Sequence, residues 1–229
     1  MLAADTNIKK ADYGRETNWA YERLLSGALL AMAAGALDSY TYLEDGGVFA
    51  GLQTGNLILT GLRVGRGDYG DILQAIVSLL MFMVGVAIIR TIQYHYPVER
   101  IVRRRVITLA FEILLFIGVS VIANRVSELV TTGMLALAAA SQLQEFRTMK
   151  NGPFTSLMMT GNVRTLAESV LDFFAQNDKQ ALKKAGDIAT IIGAFFVGAL
   201  LNGYLVQYFH GQTILLSAVI LLVVIVVGK

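Results

Sequence analysis

The stretches QTGNLILTG (residues 53–61) and MTGNVRTLA (residues 159–167) carry the same Thr-Gly-Asn triplet, and both lie inside long apolar runs. Glycine weakens a helix, and asparagine brings hydrogen-bonding sites that hydrocarbon cannot satisfy. The chemistry this permits is that of a polar binding point. At a helix break, Gly55 and Gly161 would free backbone N–H and C=O groups, while Thr54, Asn56, Thr160 and Asn162 add side-chain donors and acceptors. Two half-helix N-termini aimed at one cavity carry partial positive charge and favour an anionic or carboxylate-bearing guest. The competing reading is close helix packing at the glycines and interhelical hydrogen bonds from the asparagines.

Two carboxylates join these triplets as candidates. Asp38 follows an apolar run with Gly27, Ala31 and Gly35 at four-residue spacing, which makes a tightly packed face. A charge near membrane depth is costly and often functional, so Asp38 is a candidate for solute contact and for proton or ion coupling. Its alternative is the outer interface beside Glu44 and Asp45. Glu112 sits in RRRVITLAFEILLFIGVSVIA, about two turns from the arginines; it is expected to snorkel or pair, with a coupling role as the alternative. Gln142 and Gln144 complete the polar set, and Gly85, Gly193, Gly198 and Gly203 read as packing residues.

Composition bounds what these residues can do. The chain is 55% hydrophobic and 16% charged, too few charges to cover a soluble surface. It has no cysteine, which excludes disulfides and thiolate metal sites, and only two histidines, so no metal or other cofactor is expected. No paired-carboxylate or nucleophile–base spacing stands out, and an enzyme is not expected. A net charge of +2 gives no footprint for nucleic acid. The polar N-terminus has no apolar core with a small-residue cleavage site, so no removable signal peptide is expected.

Eight apolar segments must position the candidates: 21–43, 47–64, 72–96, 103–123, 128–149, 154–174, 184–209 and 212–228. Shifting the sequence by 106 superposes the two triplets and pairs Gly27 with Gly133, Leu37 with Leu143 and Gly46 with Gly152. It also sets Asp38 opposite Gln144. Nine identities fall in 30 ungapped positions. Segments one to four therefore correspond to five to eight, giving a tail (1–20) and two membrane repeats (21–123 and 128–229). If all eight segments span, the repeats are parallel. If the two triplet segments enter and leave on one side, six spans remain and the repeats are inverted. With a cytoplasmic N-terminus the six-span scheme puts 16 of the 19 Lys and Arg inside, against about 11 for eight spans. The positive-inside rule selects six spans plus two re-entrant or broken helices. Inverted repeats with one discontinuous helix in each half are a recurring transporter plan.

The stretch AGALDSYTYLEDGGVFAGLQTGN (34–56), with the weaker SQLQEFRTMKNGPFTSLMMTGNV (141–163), resembles the YoaK-like family of bacterial inner-membrane proteins of uncharacterised function. The resemblance rests on an acidic residue ending the first helix, a Gly-rich stretch and Thr-Gly-Asn. In the second half, Gln144 is kept and Glu145 follows it. It implies a multi-pass protein of the bacterial inner membrane. The expectation from the residues is a small-solute transporter working by alternating access, with the lipid bilayer and the solute as partners. A channel and a non-transporting scaffold are the alternatives, and a homo-oligomer is compatible with either.

Overall fold

The structure, a computed structural model, describes residues 20–70, 72–96 and 101–228. Residues 1–19 of the expected tail and the connection holding Pro97 and Arg100 lie outside the described residues. The rest folds almost wholly as helix: α1 (Leu24–Glu44), α2 (Gln53–Arg66), α3 (Ile72–His95), α4 (Ile101–Ile122), α5 (Glu128–Glu145), α6 (Met159–Gln176), α7 (Lys179–Phe209) and α8 (Ile214–Val227). Helices α1, α3 and α4 and the stretch Lys179–Val227 are long and apolar enough to cross a membrane. The chain is an all-α polytopic membrane protein.

Three boundaries differ from the sequence reading, each for a local reason. The fifth segment stops as helix at Glu145 and continues as a small antiparallel hairpin, β1 (Thr148–Met149) with β2 (Gly152–Pro153). Its two-residue turn needs positive φ at Lys150 and Asn151 (48° and 62°), a conformation that asparagine tolerates. Helix α7 starts at Lys179 rather than 184, because the Asp178 carboxylate caps it, accepting from the backbone N–H of Gln180 (2.9 Å) and Ala181 (3.2 Å). The triplets do not interrupt helices. Each stands in the first turn of a new one, α2 or α6, after a non-helical run.

The helices pack in the order α7–α1–α8–α4–α5–α3, with α2 against α3 and α6 against α7. Small residues set the two tightest crossings. The Gly35 α-carbon lies against the Phe195 carbonyl and that of Gly198 against the Met32 carbonyl, leaving no room for a side chain between α1 and α7. On the other side, a β-carbon at Gly85 would sit 2.8 Å from the Leu137 carbonyl of α5. Without water to drive helices together, such close backbone approach is the main source of association in a bilayer. Not every glycine expected to pack does so: a β-carbon at Gly193 meets nothing within 4 Å, and one at Gly203 only Ser39 Oγ at 3.8 Å.

The pairings fix direction. Gly27 meets Ile191, Gly35 meets Phe195 and Ser39 meets Asn202, so α1 and α7 run parallel. Gln74 bonds Glu128 and Gln93 bonds Gln144, so α3 and α5 run parallel. Asp45, past the end of α1, accepts from Thr131 in the first turn of α5, so α1 and α5 run opposite ways. One end of the bundle is tied by ion pairs. Glu22, preceding α1, meets Arg105 of α4 at 2.8 Å; Arg104 meets Glu145, the last residue of α5, at 2.9 Å; Lys150 meets Asp187 of α7.

Candidate functional site

The chain leaving α1 turns back along that helix. Ala50 N–H donates to Thr41 Oγ1 (3.1 Å) and Gly51 N–H to Asp38 Oδ1 (2.6 Å), so residues 50 and 51 lie beside the last two turns of α1. Helix α2 then returns until Arg63 reaches the Gly46 carbonyl (3.4 Å). The second half repeats the excursion from the other end of the bundle. After the β-hairpin, Ser156 Oγ accepts from Gln142 Nε2 (2.6 Å), whose amide also donates to the Leu30 carbonyl of α1 (3.1 Å). The two excursions meet at their tips: the Leu157 side chain packs on the Gly51 α-carbon, where Asp38 Oδ1 is also close. Gly51 is required there because any side chain would displace Leu157.

Each triplet asparagine fastens its own excursion. Asn56 is 1% exposed. Its Oδ1 accepts from Phe49 N–H (2.8 Å) and its Nδ2 donates to the Phe49 carbonyl (2.7 Å), a two-point clasp on the backbone seven residues earlier. Gln53 and Ser78 of α3 close the network around it. Asn162 makes the corresponding reach, donating to the Thr155 carbonyl (3.0 Å), also seven residues back, with Met159 Sδ (3.5 Å) where Asn56 has Gln53. Gly55 lets the Phe49 ring lie 3.0 Å from where a β-carbon would stand, whereas Gly161 faces open space. Thr54 and Thr160 are exposed. Replacing Asn56 with Leu is therefore expected to cost about 2 kcal/mol by stranding the Phe49 N–H and C=O, and Asn162→Leu about half that. Thermal unfolding in detergent checks the ranking.

A cleft of about 270 Å³ adjoins this junction and shares Asp38 with it. Asp38 and Ser39 of α1 form its floor, and Tyr42, Phe49, Leu52 and Phe195 of α7 form its walls. Tyr42 and Phe49 stack at 5.1 Å, holding the descending chain against α1. Behind Ser39, Asn202 of α7 donates to its hydroxyl (3.3 Å), and the fully buried Asn202 Oδ1 has no partner among the described residues. Asp38 is the only ionisable lining group apart from the Tyr42 phenol.

The remaining candidates stand elsewhere. Gln144 points away from the junction and pairs with Gln93 of α3 (3.0 Å). Its neighbour Gln142 holds the second excursion instead. Glu112 is 1% exposed, and neither carboxyl oxygen has a hydrogen-bond partner among the described residues, so it neither snorkels nor pairs there as expected. It lies on the face of α4 that carries Leu109, Ile113 and Phe116 into the core. Ser78, Gln53 and Asn202 were not singled out from sequence. An isolated polar residue in an apolar run was the signal available for Asn202.

This geometry accompanies a clear match. A family model described as a protein of unknown function (DUF1275) matches residues 26–227. The chain belongs to the DUF1275 family. It is also 25% identical over 180 residues to the UPF0700 transmembrane protein YoaK of Bacillus subtilis (strain 168), covering 76% of this chain and 80% of that protein. No solved structure matches significantly. Membership of DUF1275 and the YoaK likeness agree with the resemblance carried by residues 34–56.

Proposed function

We propose that this DUF1275 protein carries a small solute across the bacterial inner membrane by alternating access, with its N-terminus in the cytoplasm. The observation that carries this reading is the tip-to-tip contact of Gly51 and Leu157 beside Asp38, reached by excursions from opposite ends of the bundle. Irregular backbone at membrane depth is tolerated where it is buried in protein or lines a cavity, and paired breaks of this kind form the central site of many carriers.

The packing order supports two inverted repeats. Exchanging α1 with α5, α2 with α6, α3 with α7 and α4 with α8 reverses the row α7–α1–α8–α4–α5–α3 onto itself. Helices α1, α7 and α8 then make one rocking unit and α3, α4 and α5 the other, joined along α4 and α8. The charges favour the ion-paired end as cytoplasmic, because Arg90, Arg104, Arg105 and Lys150 gather there. The solute reaches Asp38 through the apolar cleft. A carboxylate floor with no lysine or arginine in the lining favours a cationic or neutral solute over the anionic one that the helix N-termini suggest.

The experiment is a thermal-shift screen of purified protein against small amines, amino acids and nucleosides, followed by counterflow of each hit in proteoliposomes. Saturable counterflow without single-channel currents is the expected result. Currents of channel size, or no binding to any solute, would reject carriage.

A further inference from the structure

At the end of the bundle opposite the ion pairs, three helix ends converge on oxygen atoms with nothing to bind. Asp45, just past α1, is 3% exposed; its Oδ1 accepts from Thr131 Oγ1 (2.7 Å), and its Oδ2 has no partner among the described residues. Gln74, in the first turn of α3, is 8% exposed and donates its amide to Glu128 Oε2 (2.7 Å). That bond turns the Gln74 side-chain oxygen inward, where it also lacks a partner among the described residues and lies against Gly46, the residue after Asp45. Glu128, the first residue of α5, is exposed and opens the cluster to solvent.

The electrostatics are unbalanced. Asp45 lies within electrostatic range of both Glu128 and Glu44, and neither Asp45 nor Glu128 has an ion-pair partner among the described residues. Arg63 of α2 also donates to the Gly46 carbonyl beside the cluster (3.4 Å). A buried carboxylate oxygen and a buried amide oxygen, both without donors, want a positive charge that takes oxygen ligands.

We propose that Asp45, Gln74 and Glu128, with Thr131 orienting Asp45, form a hard divalent-cation site that ties the end of α1 to the starts of α3 and α5. Two carboxylates balance one divalent ion, the Gln74 carbonyl adds a neutral oxygen, and water entering past Glu128 fills the remaining positions. Because α1 belongs to one packing unit and α3 and α5 to the other, the bound ion holds this end of the bundle closed. The site is separate from the Asp38 cleft and stands whether or not the protein carries a solute.

The test is the melting temperature of the detergent-purified full chain in 10 mM CaCl₂ against NaCl of equal ionic strength, with ⁴⁵Ca equilibrium binding on the same samples. Wild type is expected to bind one calcium and to melt about 3–5 °C higher in calcium. D45N and E128Q are expected to lose the shift and to bind at least tenfold more weakly. E128Q changes an exposed residue, so it reports even if D45N fails to fold. An equal shift in NaCl, an unchanged calcium response in E128Q, or no ⁴⁵Ca bound to wild type would overturn the site.

Discussion

Gly198→Leu is expected to abolish the folded bundle or to lower its stability by upwards of about 3 kcal/mol. A β-carbon at 198 would fall on the Met32 carbonyl, a backbone atom of α1 that cannot rotate away, and Gly35 is matched in the same way to the Phe195 carbonyl. The two contacts are reciprocal, so widening one opens both, and α1 is the helix that carries Asp38 and receives both excursion tips. Gly193→Leu, five residues earlier on α7, is the control: it meets open space and should melt within about 0.5 kcal/mol of wild type. Equal losses in both variants, read by thermal unfolding in one detergent, would mean that α1 and α7 are not held by backbone contact.

Asp38→Leu should eliminate solute movement while leaving a folded protein. Its carboxylate is the one strong acceptor on the cleft floor and simultaneously anchors the Gly51 N–H at the excursion tip. Leucine removes both functions. Asp38→Asn keeps an acceptor for Gly51 and removes only the charge, so it separates them. If the charge binds solute, D38N retains wild-type stability and loses at least tenfold in counterflow rate. If Asp38 only supports the tip, D38N transports normally and D38L alone fails. For Glu112, which faces the core without a partner, no such contact with the cleft exists.

Much of this arrangement is legible in the residues themselves. The shift of 106 that superposes the triplets also superposes Phe49 on Thr155, the two residues whose backbones the asparagines hold, so the repeat register encodes the clasp. Charge position groups Arg104, Arg105 and Lys150 on one side, and all three meet acidic partners at one end of the bundle. What escaped was helix phase. Gln142 and Gln144 are about 200° apart around α5, so only one can face the Ser156 tip: Gln142 does, while Gln144, the residue aligned with Asp38, pairs with Gln93. Partner choice escaped as well. That α1 pairs with α7 and α3 with α5 depends on which glycines meet a backbone, and Gly193 and Gly198 are indistinguishable until the neighbouring helix is in place. Ser78 belongs to the Asn56 network only because α3 passes there.

The opposed excursions are tested most directly by single cysteines, since the chain has none of its own. Cysteines at Glu44 and Tyr69 flank the first excursion, and cysteines at Arg147 and Gln176 flank the second. Labelled with a membrane-impermeant maleimide in right-side-out and inverted vesicles, Glu44→Cys and Tyr69→Cys should react from one face, and Arg147→Cys and Gln176→Cys from the other. Reaction of the Glu44 and Tyr69 variants from opposite faces would show α2 crossing the bilayer, and the tip-to-tip junction beside Asp38 could not then be the centre of the molecule.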